Sequence, residues 1–300
     1  MGKLNGRVAI VTGAGRGIGA AVAETFAAEG ASVVVNDLGA AMDGGGSDAG
    51  PAREVVERIE KAGGRALADD SDVTDFAAAE KLVARAVEAF GRLDVLVNAA
   101  GIIRDSMIFK MTEDQWDAVI AVHLKGTFNT ARHASSWWRE NRGGAFRLIN
   151  FVSGSGLYGA PAQPNYAAAK MGIVGLTYSC ANALAGYGVT ANCIAPVAFT
   201  RMTESLQGKS TVMDYSPDNP RISVRNVVPP VVYLATEQSS WLNGRVIQCG
   251  NGRIGLFSNP TIQREVVTDG VWNLDTAFAE MESAFQEAIL HPNPFARPRG

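Results

Sequence analysis

Tyr166 and Lys170 stand four residues apart in the run Tyr166-Ala167-Ala168-Ala169-Lys170. That spacing puts both side chains on one face of a helix. A tyrosine alone is a poor base, with a pKa of about 10. A lysine ammonium beside it stabilises phenolate and is expected to lower that pKa by roughly 1–3 units. Ser153 lies upstream, at the end of an apolar run, and its hydroxyl can donate to an alcohol or carbonyl oxygen. Together the three suit removal of a proton from a secondary alcohol while hydride leaves the carbinol carbon. A lone Tyr-x-x-x-Lys arises often by chance, so its placement decides its weight.

A departing hydride needs an acceptor, and the N-terminus holds a candidate site for one. Thr12-Gly13-Ala14-Gly15-Arg16-Gly17-Ile18-Gly19 lies between a β-branched run and a helical pattern. Glycines let backbone approach a pyrophosphate, and the following helix offers free N–H groups and partial positive charge. Gly13, Arg16, Gly17, Ile18 and Gly19 are therefore candidate cofactor contacts. Asp37 follows the second apolar run, where a carboxylate can accept both ribose hydroxyls of adenosine and repel a 2′-phosphate. That predicts NAD over NADP. Arg16 opposes it, since an arginine in this loop can pair with a 2′-phosphate, but Asp37 is expected to dominate. Asp72 and Val73, after the third strand, would suit the adenine edge and face.

Alternating elements must position these residues. Strands are predicted at 7–11, 32–36, 65–68, 93–97, 145–152, 189–194 and 245–248. Helices are predicted between them: one carrying Ile18, Val22 and Phe26 and stopped by Gly30, then 53–62, 75–90, 112–139 capped by Thr112, 166–184 and 227–235. The pattern is α/β: a Rossmann-like, doubly wound, seven-stranded parallel sheet with helices on both faces. Ligands in such sheets bind at the strand carboxyl ends, where Ser153 and the glycine loop fall. Residues 1–255 read as a single catalytic domain. It carries a glycine-rich surface insert at 39–52 and a polar, mobile loop at 202–222. Residues 256–300 form a C-terminal extension. There Asp275 can cap a helix with Phe278, Met281, Phe285 and Ile289 on one face. That face is expected to pack on the core or on a neighbouring subunit.

Composition narrows the function classes. The chain has 300 residues, 47% of them hydrophobic and 19% charged, which allows a sizeable core and excludes a disordered chain. A net charge of −3 gives no electrostatic case for nucleic acid or an anionic membrane. Three dispersed cysteines (Cys180, Cys193, Cys249) argue for a reducing compartment, and no signal or spanning segment is read, so the expected location is cytoplasmic. Ser153-Gly154-Ser155-Gly156 does not meet the hydrolase Gly-x-Ser-x-Gly pattern. His123, His133 and His291 are too dispersed for a metal site, so none is expected. Trp137-Trp138 reads as packing or a subunit contact. Met107, Ile108, Met111 and Leu157 read either as an apolar substrate cleft or as ordinary core.

Thr12–Gly19, Asn98-Ala99-Ala100-Gly101, Ser153, Tyr166 and Lys170, in that order, resemble the short-chain dehydrogenase/reductase family over residues 5–250. The resemblance implies that Asn98, Ala99, Ala100 and Gly101 line the nicotinamide-side ribose and brace the fourth strand. It implies that Tyr166 and Lys170 also touch the cofactor, with Lys170 holding the nicotinamide ribose. It further implies that Pro196 to Thr200, with Ala198 and Thr200, holds the nicotinamide carboxamide, although the family's usual Pro-Gly is Pro196-Val197 here. At His123 the family usually has an asparagine that fixes a water connecting the lysine to solvent. A histidine could hold the same water, carry the proton itself, or merely cap a helix bend.

Asn36-Asp37-Leu38-Gly39 with the insert, Val122-His123-Leu124, Tyr158-Gly159 and Gly250-Asn251-Gly252 resemble more narrowly the dehydrogenase part of peroxisomal multifunctional enzyme type 2. That subgroup oxidises (3R)-hydroxyacyl-CoA, and some members act on steroids. The implied substrate is an acyl-CoA or a steroid, and the implied assembly a homodimer or homotetramer. Two function classes follow: a nicotinamide-dependent oxidoreductase, or a catalytically silent nucleotide-binding regulator. The complete Ser153, Tyr166 and Lys170 set favours the enzyme.

Overall fold

The computed structural model describes residues 2–204 and 214–288. Seven parallel strands form the sheet: β1 (Val8–Thr12), β2 (Ser32–Asn36), β3 (Arg65–Asp69), β4 (Val95–Asn98), β5 (Phe146–Phe151), β6 (Val189–Val197) and β7 (Val246–Gly250). An eighth, β8 (Arg253–Leu256), turns back antiparallel to β7 at the edge. The order is β3-β2-β1-β4-β5-β6-β7-β8. The chain reverses direction of winding between β1 and β4, which is where such sheets open a crevice for a ligand.

Alternation along each strand divides the core. Ala9, Val11, Val33, Val35, Val95 and Val97 face one side with Phe26, Val55, Ile59 and Leu234. Ile10, Val34 and Leu96 face the other with Leu82, Trp138, Phe146 and Leu148. A period of two with both faces apolar is what a strand covered on both sides requires. The first face is covered by α1 (Gly17–Ala28), α2 (Gly50–Lys61) and α8 (Val228–Ala235), the second by α3 (Phe76–Phe90) and a long broken rod. Trp138 is fully buried, and its indole N–H donates to the Leu93 carbonyl at 2.9 Å, so it is packing.

The rod predicted as one helix over 112–139 has three parts. α4 (Glu113–Ile120) starts in a capping box between Thr112 and Gln115. A π-helical turn spans Ala121–Lys125, and α5 (Gly126–Glu140) follows. Beyond β5, Ser153 caps a short helix, α6 (Gly154–Tyr158), which the glycine-rich sequence did not announce. The next helix, α7 (Pro164–Leu184), starts two residues before Tyr166, with proline at its first position. The insert is shorter than expected, because Gly50–Ala52 already belong to α2.

The expected loop at 202–222 lies partly outside the described residues, at 205–213. Its end is packed: Ile222 is fully buried and its carbonyl accepts from Phe199 N at 2.7 Å. Backbone contacts divide the chain into Met1–Phe257 and Ser258–Gly300. The second unit contains α9 (Leu274–Ala288). Asn273, rather than the predicted Asp275, caps it: its Oδ1 accepts from Asp275 N and Thr276 N at 3.0 and 3.3 Å. Phe278 and Met281 are exposed, and Ile289 lies outside the described residues.

Candidate active site

A cavity of about 550 Å³ opens at the carboxyl ends of the strands. From the glycine loop, Gly13, Arg16, Gly17, Ile18 and Gly19 line it. Asp37, Asp72 and Val73 line one end, and Ala99, Ala100 and Gly101 its middle. His123, Tyr166, Lys170, Pro196 and Thr200 line the other. Three expected residues are not on its wall. Ser153 sits just behind, hydrogen-bonded to Tyr166. Ala198 is buried off the wall.

Asn98 lies beneath the site. Its Nδ2 donates to Asn150 Oδ1 at 2.9 Å, and its Oδ1 accepts from Thr130 at 2.7 Å. Asn150 continues to Thr177, and Cys193 donates to Thr177 as well. This buried polar chain ties β4, β5 and β6 to α5 and α7. The Asn98 side chain thus braces the sheet and leaves no cofactor contact of its own on the wall. Thr12 Oγ1 accepts from Ala99 N and Ala100 N, both at 3.2 Å, which sets the following turn.

The glycine loop is shaped by close approach. A Cβ on Gly19 would stand 2.2 Å from the Gly13 carbonyl oxygen, and one on Gly13 2.7 Å from Ala100 Cα. Gly17 differs: with φ of +56° its Cβ would point into open space, 3.9 Å from the nearest atom, Thr200 Cγ2. The Asp37 carboxylate accepts from Gly15 N and Gly39 N, each at 2.7 Å, so the loop itself orients it.

At the chemical end, Lys170 Nζ donates to the Phe151 carbonyl at 2.7 Å and stands 5.5 Å from the Tyr166 ring centroid. Burial lowers its pKa to about 7. Burial also pushes the Tyr166 phenol up to about 12, only partly offset by its hydrogen bond with Ser153, and the Asp105 charge adds to the rise. The expected lowering by Lys170 is therefore overturned. Removing water from the hydroxyl disfavours phenolate, and it disfavours the lysine cation that was to stabilise it.

His123 lies on the π turn, a helical irregularity frequent at functional sites. Its Nε2 is 3.1 Å from Ile102 N and 2.8 Å from Ile102 O, and its ring meets Tyr166 edge-on at 5.0 Å. Nδ1 is buried with no hydrogen-bond partner among the described residues. Burial, then the Lys170 charge, hold its pKa well below 6.5. Both effects disfavour the protonated ring and so weigh against its carrying a proton itself. Holding a water at Nδ1 remains chemically open to a neutral ring.

Sequence reasoning missed part of the wall. Met42 and Gly44 of the insert, Arg104 after the Asn98–Gly101 motif, and Val122 all line the cavity. Nothing in a glycine-rich, polar stretch marks it as a wall, because the signal is tertiary. Among the described residues no cluster of histidine, cysteine or carboxylate could hold a metal.

The short chain dehydrogenase family model matches residues 7–214. The chain belongs to the short-chain dehydrogenase/reductase family. It is 41% identical over 293 residues to the hydroxyacyl-CoA dehydrogenase ChsB1 of Mycobacterium tuberculosis, covering 94% of this chain and 89% of that one. It is 38% identical over 252 residues to the peroxisomal hydratase-dehydrogenase-epimerase of Neurospora crassa, but spans only 27% of that protein. A short chain dehydrogenase from Mycobacterium avium, 43% identical, matches 99% of this chain with a TM-score of 0.84.

As a short-chain dehydrogenase/reductase the protein is an oxidoreductase that uses a nicotinamide cofactor. The residues present fit one. Gly13 and Gly19 let the loop close on itself, and Gly17 leaves room where a side chain would project into the cavity. Asp37 supplies a carboxylate at one end and Lys170 an amine at the other.

Proposed function

We propose that the protein is an NAD-dependent dehydrogenase that converts (3R)-3-hydroxyacyl-CoA to 3-ketoacyl-CoA. The observation that carries the reading is the convergence of Ser153, Tyr166 and Lys170 at the end of a cavity whose other end holds Asp37. The acyl-CoA preference is supported by the names of the relatives at about 40% identity. The oxidised nicotinamide, when bound, supplies the hydride acceptor. Tyr166 Oη takes the hydroxyl proton as its own phenolic proton leaves, and Ser153 Oγ holds the substrate oxygen. Lys170, whose lowered pKa leaves a neutral amine available near neutrality, receives the proton that Tyr166 releases and passes it onward. Asp37 selects NAD by accepting the ribose hydroxyls. Free, buried cysteines at 193 and 249 accord with a cytoplasmic location. The assembly is a homodimer or homotetramer, checked by light scattering at micromolar concentration.

One panel tests the reading: (3R)-3-hydroxyacyl-CoAs, hydroxysteroids and short secondary alcohols, each with NAD and with NADP. The expected result is highest kcat/KM for an acyl-CoA with NAD. A preference for a hydroxysteroid would move the substrate class while keeping the chemistry. No turnover with any of them, alongside tight dinucleotide binding, would leave a nucleotide-binding regulator.

A further inference from the structure

The insert returns on itself and is pinned at its tip. Its base closes where Asp48 N donates to the Leu38 carbonyl at 2.9 Å. At the tip, Ile103 N donates to the Met42 carbonyl at 3.0 Å, and Arg104 Nε to the Asp43 carbonyl at 2.7 Å. Arg104 Nη1 reaches the Asp114 carbonyl in the first turn of α4, at 3.2 Å.

The segment that carries Ile103 and Arg104 is zipped along its other side to the start of α7. Ser106 N donates to the Ala162 carbonyl at 2.9 Å, and Gln163 Nε2 to the Asp105 carboxylate at 3.0 Å. Asn165 is the centre of this seam and is wholly buried. Its Nδ2 donates to the carbonyls of Arg104 and Gln115 at 3.0 and 2.9 Å. Its Oδ1 accepts from Tyr166 N at 2.7 Å. The first amides of a helix have no partner within it. Here one of them is the amide of Tyr166, and it is satisfied by a side chain clamped to two other segments.

We propose that Arg104 and Asn165 are positioning residues, which hold the first turn of α7, and so the Tyr166 hydroxyl, to a loop anchored on the 39–49 insert. This inference rests on the dehydrogenase reading for its catalytic consequence, though not for its geometry. The insert springs directly from Asp37, so one continuous seam runs from the adenosine end of the cavity to the acid–base residue. Arg104 makes its bonds to backbone carbonyls, so what it supplies is geometry, and a misplacement of about 1 Å at a reacting group can cost ~10²-fold in rate.

The experiment uses the full chain, with wild type, Arg104→Ala, Asn165→Ala and Gly44→Val. Gly44 has φ of +92°, and a Cβ there would lie 3.1 Å from Ile102 Cδ1, so valine should detach the tip without touching α7. Hydrogen exchange of the ligand-free protein is read in peptides covering 160–170 and 146–152. Each variant should speed exchange at 160–170 by roughly ten-fold or more while leaving β5 unchanged. In turnover, Asn165→Ala, whose side chain is off the cavity wall, should lower kcat at least ~10-fold while the NADH dissociation constant moves less than ~3-fold. Arg104→Ala and Asn165→Ala together should cost little more than the worse single change, since both break one seam. Should Asn165→Ala fail to fold, Gly44→Val and Arg104→Ala carry the test. Unchanged exchange at 160–170 overturns the proposal, as does a loss of NADH affinity equal to the loss in kcat. Absence of wild-type turnover on the substrate panel would defeat the dehydrogenase reading instead, and the exchange measurement still decides the clamp.

Discussion

Lys170 should weaken the ligand-free protein, and it should do so in a pH-dependent way. Its ammonium is buried and no carboxylate pairs with it among the described residues; its hydrogen bond goes to the Phe151 carbonyl. The fall from 10.5 to about 7 corresponds to ~5 kcal/mol against the charged form, at about 1.4 kcal/mol per unit. That figure is the net cost of the charge in the fold, whatever the bond to Phe151 returns. The sign follows from linkage. Between pH 7 and 10.5 the unfolded chain keeps the proton that the folded chain has released, so stability rises with pH across that window. Below pH 7 both states are protonated and the whole penalty applies; above 10.5 none does. Lys170→Met removes the group with similar volume. Urea unfolding of both proteins without cofactor, from pH 6.5 to 10.5, should show methionine favoured most at the acid end. The advantage should shrink by about 4 kcal/mol towards the alkaline end, and groups common to both proteins cancel in the difference. A difference that stays constant with pH would refute the reasoning.

Asp37→Ala should narrow the ratio of NAD to NADP in kcat/KM, and it should also loosen Gly15 and Gly39, whose amides the carboxylate accepts. Tyr166→Phe should lose at least ~10²-fold in kcat with dinucleotide affinity retained, the scale of general acid–base catalysis. His123→Asn should keep most of kcat while His123→Leu lowers it. Because the ring is held neutral, neither difference should vary between pH 6 and 9; steady-state profiles check both statements. Trp138→Ala should cost about 3–5 kcal/mol in urea unfolding, since a fully buried ring and its hydrogen bond to Leu93 both go.

The sheet was readable because a strand covered on both faces must be apolar through its centre, as residues 8–11 and 33–35 are. Tyr166, Lys170 and the glycine loop were readable because their chemistry needs particular residue types at particular spacings. The π turn was not, since Ala121–Lys125 carries ordinary helix-compatible residues and only packing selects the wider turn. α6 was hidden by Gly154 and Gly156, which oppose helix and are overridden by the Ser153 cap and close packing against α7. The sign of the Tyr166 shift was missed because spacing reveals a neighbour but not the loss of water. Asn165 stands next to Tyr166 and still carried no signal, since a lone asparagine acquires meaning only when two distant carbonyls meet it. β8 follows Gly250, Asn251 and Gly252, all at positive φ, a reversal the glycines permit but do not demand.

The widened turn at 121–125 makes the rod a piece of machinery with an inserted link. A π turn holds one residue more than an α turn, so the faces of α4 and α5 are out of phase by about 100°, the rotation of one residue. Removing a single residue there would restore an uninterrupted α-helix and swing everything on one side of the cut around the axis. Either His123 would leave Ile102 and Tyr166, or Thr130 and Trp138 would leave Asn98 and Leu93. The two ends of this rod therefore tolerate substitution far better than they tolerate a change of length.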